Sequence, residues 1–242
     1  MRTLLLPLLP PPPATFVTRL ACGARLALEF RETLGLSYLL NGEFEQAEIE
    51  FLRSKAKPGS CAVDVGANVG LFTLALASAV HPGMVLAFEP VPANAERLKA
   101  NLSMNQSKNV EVYQTALGDR DGVGSIFVTD DAAYTSMQQS AVARRSHSSI
   151  RVPIAKLDRV WQEAGRPEVS VMKIDVEGSE LSVLKGATEV LERCRPVVMI
   201  EANTAADLTA LIGWFAARGY FHWQQPHFMK WNHVFSGVAP LH

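Results

Sequence analysis

The sequence predicts an α/β domain built on a mainly parallel sheet with helices on both faces. Three observations predict it. From residue 61 onward, apolar stretches of strand length alternate with helix-like stretches, and strands separated by helices pair in parallel. The first apolar stretch, 61–65, runs straight into a glycine-containing turn, Gly66-Ala-Asn-Val-Gly70, and then into an apolar helix. Glycine, acid or amide residues then stand at the carboxyl ends of the expected strands, at Gly66, Glu89, Asp119, Asp175, Glu201 and Asn203. Ligands in such sheets bind at those ends, so six in register point to a site.

The elements follow in order. Residues 1–15 are Leu-rich and then Pro-rich, with Pro10 to Pro13 consecutive. Proline favours extended backbone, and a disordered tail fits better than a signal segment because the apolar run is short. Residues 16–57 are expected to form a helical extension. Its first part, 16–40, is mostly apolar, with arginines at 19, 25 and 31. Packing on the core, pairing with a second subunit and lying on a membrane surface are all open, with packing preferred. Its second part, 43–55, places Phe44, Ala47, Phe51 and Leu52 at helical spacing among acids, and Pro58-Gly59 ends it.

Residues 58–242 are expected to form the main domain. Strands are expected at 61–65, 84–88, 110–114, 169–174, 197–201 and 220–223, with helices at 68–80, 92–105, 157–164, 179–193 and 205–218. A last strand at 234–238 is close enough to its predecessor to pair antiparallel. Residues 122–154 interrupt the alternation. Strands at 125–129 and 150–154 flank a polar segment, 130–149, rich in Ser, Ala and Gln. A long insertion of this kind reads as a hairpin with a lid over the substrate.

The net charge of −1 and the lack of a Lys/Arg cluster argue against a nucleic-acid surface. Cys22, Cys61 and Cys194 are scattered, which suits a reducing, cytoplasmic setting. No stretch is long enough for a membrane span, and the number of subunits stays open.

The turn at 66–70 carries most of the chemistry. Gly66 and Gly70 allow close backbone approach, and Asn68 tolerates left-handed backbone. Glu89 lies about 20 residues past the turn, where a strand-helix-strand nucleotide site places its ribose ligand. A pyrophosphate site has the spacing G-x-G-x-x-G, whereas this loop is G-x-x-x-G. Asp64, two residues before the first glycine, would repel a pyrophosphate. It suits a cation such as the sulfonium and ammonium of S-adenosylmethionine. An NAD-dependent dehydrogenase would share the architecture, but this loop and the lack of a Tyr-x-x-x-Lys pair disfavour it.

The second constellation is Lys173-Ile-Asp-Val-Glu-Gly-Ser-Glu180. Lysine is almost never fully buried unless paired, yet Lys173 interrupts a buried strand. Alternation puts Lys173 and Asp175 on one face, and Asp64, Asp175 and Glu201 are its expected partners.

These residues together resemble a known family. Asp64-Val-Gly-Ala-Asn-Val-Gly70, Phe88-Glu-Pro-Val-Pro92, Ala116-Leu-Gly-Asp119 and Lys173 to Glu180 occur in order, and the chain from about residue 43 to 240 resembles the FkbM family of S-adenosylmethionine-dependent methyltransferases. The resemblance implies a class I methyltransferase fold, Rossmann-like, with seven strands of which the last is antiparallel. It implies Asp64, Gly66, Asn68 and Gly70 around the methionine part of the cofactor, Glu89 at the ribose, and Leu117 to Asp119 at the adenine. It implies O-methylation of a hydroxyl on a sugar or a polyketide, the fucosyl 2-hydroxyl of a nodulation factor being one case. A protein that only senses S-adenosylmethionine is the reading of another class.

A sugar hydroxyl is a weak nucleophile, so a base must take its proton as the bond forms. Asp175 is the first expectation for that base and Glu177 the next, with Lys173 beside them. His222, His227 and His233 have suitable chemistry, but nothing in the sequence aims them at the site. A divalent metal on Asp175 with Glu201 or Asn203 is conceivable, although no metal is expected.

Overall fold

The computed structural model describes residues 15–30, 32–128, 135–136 and 148–238. Its centre is a seven-stranded sheet of β3 (Cys61–Val65), β4 (Met84–Phe88), β5 (Val110–Tyr113), β10 (Val169–Ile174), β11 (Val197–Glu201), β12 (Phe221–Trp223) and β13 (Asn232–Ser236). The order is β12-β13-β11-β10-β3-β4-β5. The strands β5, β4, β3, β10 and β11 run parallel, while β13 is antiparallel to both its neighbours. That is the seven-stranded plan with a reversed final strand that the sequence predicts.

Strands β3 and β10 are buried along their whole length, as continuous apolar strands covered on both faces must be. Period-two alternation sorts their side chains. Val63, Val65, Met172 and Ile174 face one apolar layer, with α5 (Leu157–Glu163), α6 (Glu180–Lys185), α7 (Thr188–Cys194) and α8 (Ala205–Ala216). Ala62, Val85, Val171 and Met199 face the other, with α1 (Thr33–Asn41), α2 (Gln46–Lys55), α3 (Leu71–Val80) and α4 (Pro92–Met104). Asp64 and Lys173 fall on this second face, opposite each other across the β3–β10 pair.

The N-terminal extension departs from expectation. Where residues 16–40 were expected to be helical, β1 (Thr15–Arg19) and β2 (Arg25–Glu29) form an antiparallel hairpin and only α1 is helical. The reason is a period of two: Leu26 and Leu28 are fully buried, while Arg25 is exposed and Ala27 and Glu29 are half-buried. Gly23, at φ 87, supplies the turn. The hairpin and α1 pack on the core through Leu20, Leu26, Leu28, Leu34 and Tyr38. Arg97 clasps Glu32 with two hydrogen bonds of 2.5 and 2.7 Å. The Pro-rich residues 1–14 lie outside the described residues.

The expected helix 179–193 is two helices, α6 and α7, broken at Gly186-Ala187. A Cβ on Gly186 would lie 2.0 Å from the Gly118 carbonyl oxygen, so the backbones meet there. The insertion is a hairpin, β7 (Gly122–Val128) with β9 (Ser148–Ala155), joined by the short β6 (Ala116–Leu117) and β8 (Thr135–Ser136) in a four-stranded side sheet. Most of the expected lid, 130–149, lies outside the described residues. No described helix is long and apolar enough to cross a membrane.

Candidate active site

One cleft opens at the carboxyl ends of β3, β4 and β10. Asp64, Gly66, Asn68, Glu89, Leu117, Lys173, Asp175, Glu177 and Glu201 all line it. Sequence reasoning placed these residues at one end of the sheet, and the parallel register brings them together.

Gly66 is where backbone packing is tightest. It adopts φ 84, and a Cβ there would meet the Asp175 carbonyl oxygen at 1.9 Å. The Asp175 N–H donates to the Val65 carbonyl at 2.9 Å. The glycine is therefore required by the approach of β10 as well as by the turn. Gly70 adopts φ 101 at the start of α3, against Leu98, and is not part of the cleft lining.

Asp64 is fully buried. Its Oδ2 accepts from Thr73 Oγ1 at 2.5 Å, while its Oδ1 is buried with no hydrogen-bond partner among the described residues. Burial pushes its pKa up, and the Lys173 ammonium opposes that. A buried acceptor without a donor is costly, and one at the edge of a cleft fits a cationic ligand group. Asn68 has the left-handed backbone expected of it, φ 49, and its Oδ1 is likewise buried without a partner.

Glu89 also holds the loop. Its Oε2 accepts from the Asn68 N–H at 2.8 Å and its Oε1 from the Val91 N–H at 2.9 Å. Burial pushes its pKa up to about 7 against those donors. Asn94 adds a side-chain hydrogen bond to Glu89, and a carboxylate with about four acceptor sites still has capacity for a ribose hydroxyl. At the expected adenine end Leu117 lines the cleft but Asp119 does not. Asp119 is exposed, and its N–H donates to Ser182 Oγ at 3.1 Å.

The partner of Lys173 is Asp175. Nζ donates to Oδ2 at 2.8 Å, with side chains 5% and 29% exposed, and Nζ also stands 4.6 Å from the centre of the Phe72 ring. Burial acts to raise the Asp175 pKa, but Lys173 and a hydrogen bond from Glu201 override it and hold it below the ordinary range. Glu201 is pushed strongly upward by burial and by Asp175, so it is the member of that pair that carries the proton. Glu177 has left-handed backbone, φ 53. Burial, then Asp175 and Glu180, push its pKa up to about 7. Asn203 Nδ2 donates to it at 3.3 Å. Oxygens of Asp175, Glu177 and Glu201 lie within 4.8 Å of one another, a spacing that can take a divalent cation. Glu180 accepts from the Gly178 N–H at 2.9 Å.

The histidines stand apart. His222 and His233 face each other at 3.3 Å on β12 and β13, burial pushes His233 down to about 4, and His227 is exposed. None of the three lines the cleft.

Sequence reasoning missed one wall. Thr33, Leu34, Phe44 and Glu45 from the N-terminal extension line the cleft, with Trp231 from the loop before β13. Glu45 is buried and accepts from Asn232 Nδ2 at 2.7 Å. Its partner is 187 residues away. The available signal was its place before an amphipathic helix, which carries no hint of a cleft.

Comparison with known proteins bears on this arrangement. The family described as methyltransferase FkbM domain matches residues 64–221. The 31-O-demethyl-FK506 methyltransferase FkbM of Streptomyces tacrolimicus is 30% identical over 193 residues, covering 68% of this chain and 74% of that protein. The 2-O-methyltransferase NoeI of Sinorhizobium fredii is 26% identical over 152 residues, covering 57% of this chain and 62% of that protein. In two further methyltransferases the match spans 57% and 60% of their length, so this chain covers less than two thirds of several curated relatives. The solved structure of methyltransferase FkbM from Methylobacillus flagellatus superposes with a TM-score of 0.54 at 21% identity, over 78% of this chain and 51% of that one. It shares the fold.

Proposed function

We infer a function from the premise that this chain belongs to the FkbM family of methyltransferases: it transfers a methyl group from S-adenosylmethionine to a hydroxyl oxygen, with a saccharide as the acceptor class. The observation that carries the reading is the buried, unpartnered Oδ1 of Asp64 in a cleft that also holds Glu89 and the Asp175–Glu177 carboxylates. The donor set fits the cofactor. Asp64 and Asn68 offer unused acceptors to its ammonium end, Gly66 leaves the backbone open, and Glu89 accepts from the ribose. Leu117 supplies an apolar surface for the base. When bound, the sulfonium supplies an electrophilic methyl group.

What the chain must do is hold the acceptor oxygen in line and accept its proton. Asp175, fixed by Lys173 and hydrogen-bonded by Glu201, is held too acidic to be a strong base. It acts as a fixed negative charge beside the reacting atoms. Glu177, raised to about 7, suits proton acceptance near neutral pH better. The names of two relatives, a 2-O-methyltransferase and the 31-O-demethyl-FK506 methyltransferase, support transfer to oxygen. The hexuronic acid methyltransferase supports a saccharide acceptor, and the FK506 enzyme a different one. The last keeps a polyketide acceptor as the second reading.

Two measurements test this. Calorimetry should show S-adenosylhomocysteine binding and no NAD binding. Mass spectrometry on saccharide and polyketide panels should show the gain of one methyl on a saccharide. Binding without transfer to either panel would favour the sensing role, and transfer confined to polyketides would exchange the acceptor classes.

A further inference from the structure

The wall that the sequence hid has its own chemistry. Glu45 is 9% exposed and adopts φ 49, a left-handed conformation that glutamate rarely takes. Six non-glycine described residues have positive φ, and three of them, Glu45, Asn68 and Glu177, line this one cleft. Strained backbone of this kind persists where surrounding structure enforces it, and it gathers at functional sites.

The enforcing contacts are on the page. Asn232 Nδ2 donates to Glu45 Oε1 at 2.7 Å and reaches Glu48 Oε1 at 3.3 Å. Glu48 also accepts from the Met229 N–H. The Ala202 N–H donates to the Trp231 carbonyl at 2.8 Å, tying Trp231 to the end of β11. Asn232 engages one carboxylate oxygen of Glu45, Oε1, and Glu45 lines the cleft. A carboxylate buried to this degree is costly unless its oxygens find partners. Burial pushes its pKa up to about 7, opposed by Lys173 and reinforced by Asp175.

We propose that Glu45, with Phe44 and Trp231, forms an acceptor subsite for a pyranose ring, in which the aromatic side chains cover the apolar C–H face and Glu45 Oε2 accepts hydroxyl hydrogen bonds. The two aromatic residues line the cleft and remain partly exposed, and rings of this kind offer large apolar surface at low entropic cost. A carboxylate accepts from adjacent hydroxyls at once. Glu45 and Trp231 both lie outside residues 64–221, the stretch that matches the family. Cofactor binding is therefore carried by the shared stretch, and acceptor choice by segments at both ends of this chain. The proposal rests on the saccharide reading above and names the residues that select the sugar.

The test uses the full chain, with and without S-adenosylhomocysteine, and three probes: methyl α-glucopyranoside, methyl α-mannopyranoside and methyl β-glucuronide. Binding is followed by saturation-transfer NMR and calorimetry. At least one glycoside should bind the wild-type protein. Glu45→Gln should weaken it by roughly 10- to 100-fold, the range for losing a hydrogen bond to a charged group. Phe44→Ala and Trp231→Leu should each weaken it by about tenfold or more, as loss of a buried aromatic contact does. Affinity for S-adenosylhomocysteine should stay within a few-fold in all three variants. In Glu45→Gln the amide oxygen still accepts from Asn232, so folding should survive, and a melting curve checks it. If that variant is unfolded, the two aromatic variants decide. Equal glycoside binding by wild type and folded variants would overturn the subsite and leave the saccharide reading intact. Failure of every glycoside to bind would overturn the pyranose assignment. Parallel loss of S-adenosylhomocysteine affinity would place Glu45 on the cofactor side and overturn the proposal. Failure of the wild type to bind S-adenosylhomocysteine would strike at the proposed function instead, while the glycoside arm on unloaded protein still decides the subsite.

Discussion

Lys173→Met is the most informative substitution in this cleft. The methionine has similar length and keeps the contact with Phe72, so the change removes charge more than volume. Lys173 is 5% side-chain exposed, donates to Asp175 at 2.8 Å, and its charge also acts on Glu45 and Asp64. Breaking a buried pair by deleting one partner costs roughly 3–5 kcal/mol, because the other charge is left behind. For a chain of this size that corresponds to a fall in Tm of roughly 6–20 °C. The sign of its pH dependence follows from Asp175. In the native protein its pKa is held down, so it contributes stability above its unfolded value that is lost as pH falls through the folded one. Without Lys173 the upward push of burial, the largest single influence, outweighs the remaining hydrogen bond from Glu201. The folded pKa then lies above the unfolded one, and stability is lost as pH rises. The variant should therefore be much closer to wild type at pH 5 than at pH 8. Adding Asp175→Asn should recover part of the loss at pH 8, with Glu45 and Asp64 still lacking their cation. Thermal melts of the wild type, both single variants and the double variant at the two pH values measure this. Equal destabilisation at pH 5 and pH 8, with no recovery in the double variant, would refute the account of the cluster as one cation serving several carboxylates.

Glu89→Ala removes the acceptor for two backbone N–H groups and, in the proposed function, for the ribose. S-adenosylhomocysteine affinity should fall by about 10- to 100-fold, from a loss of roughly 1.5–3 kcal/mol, and calorimetry reads it directly. Gly66→Ala should be worse than an ordinary left-handed glycine replacement, since its Cβ would sit 1.9 Å from the Asp175 carbonyl. A Tm drop no larger than that of Gly70→Ala, whose Cβ meets only the movable end of Leu98, would show that the β3–β10 approach is looser than described. Glu177→Gln should lower turnover by roughly 10²–10⁴-fold, the contribution of a positioned base, while cofactor affinity stays within a few-fold. Treatment with a chelator should leave wild-type turnover unchanged if Lys173 is the cation of the cluster, whereas loss that added Mg²⁺ restores would assign a metal to Asp175, Glu177 and Glu201.

The sequence alone determined the sheet, because period-two apolar stretches and intervening helices are local properties. Strands 61–65, 84–88, 169–174 and 197–201 were legible to the residue. So was the wall of the cleft formed by the first strand-turn-helix-strand unit. Gly66, Asn68 and Glu89 lie in a continuous strand-turn-helix-strand unit, and that unit fixes their relative positions by itself. The N-terminal hairpin was harder to read. Its apolar residues satisfied a helical pattern about as well as an alternating one, and only packing of Leu26 and Leu28 on the core decided between them. Asp119 looked like a site residue from its place after a short strand, but the close contact between Gly118 and Gly186 leaves its side chain in solvent. The choice of Asp175 as the partner of Lys173, over Asp64 directly opposite it, was likewise made in three dimensions. Glu45 and Trp231 are the clearest case. They are 186 positions apart, on segments that share no local pattern, and each is ordinary in its own stretch of sequence. They meet at one cleft because the extension folds back over the α1–α4 face of the sheet, where alternation has already aimed Asp64 and Lys173. Proximity of that kind arises from chain closure over long loops, and no local pattern in the sequence encodes it.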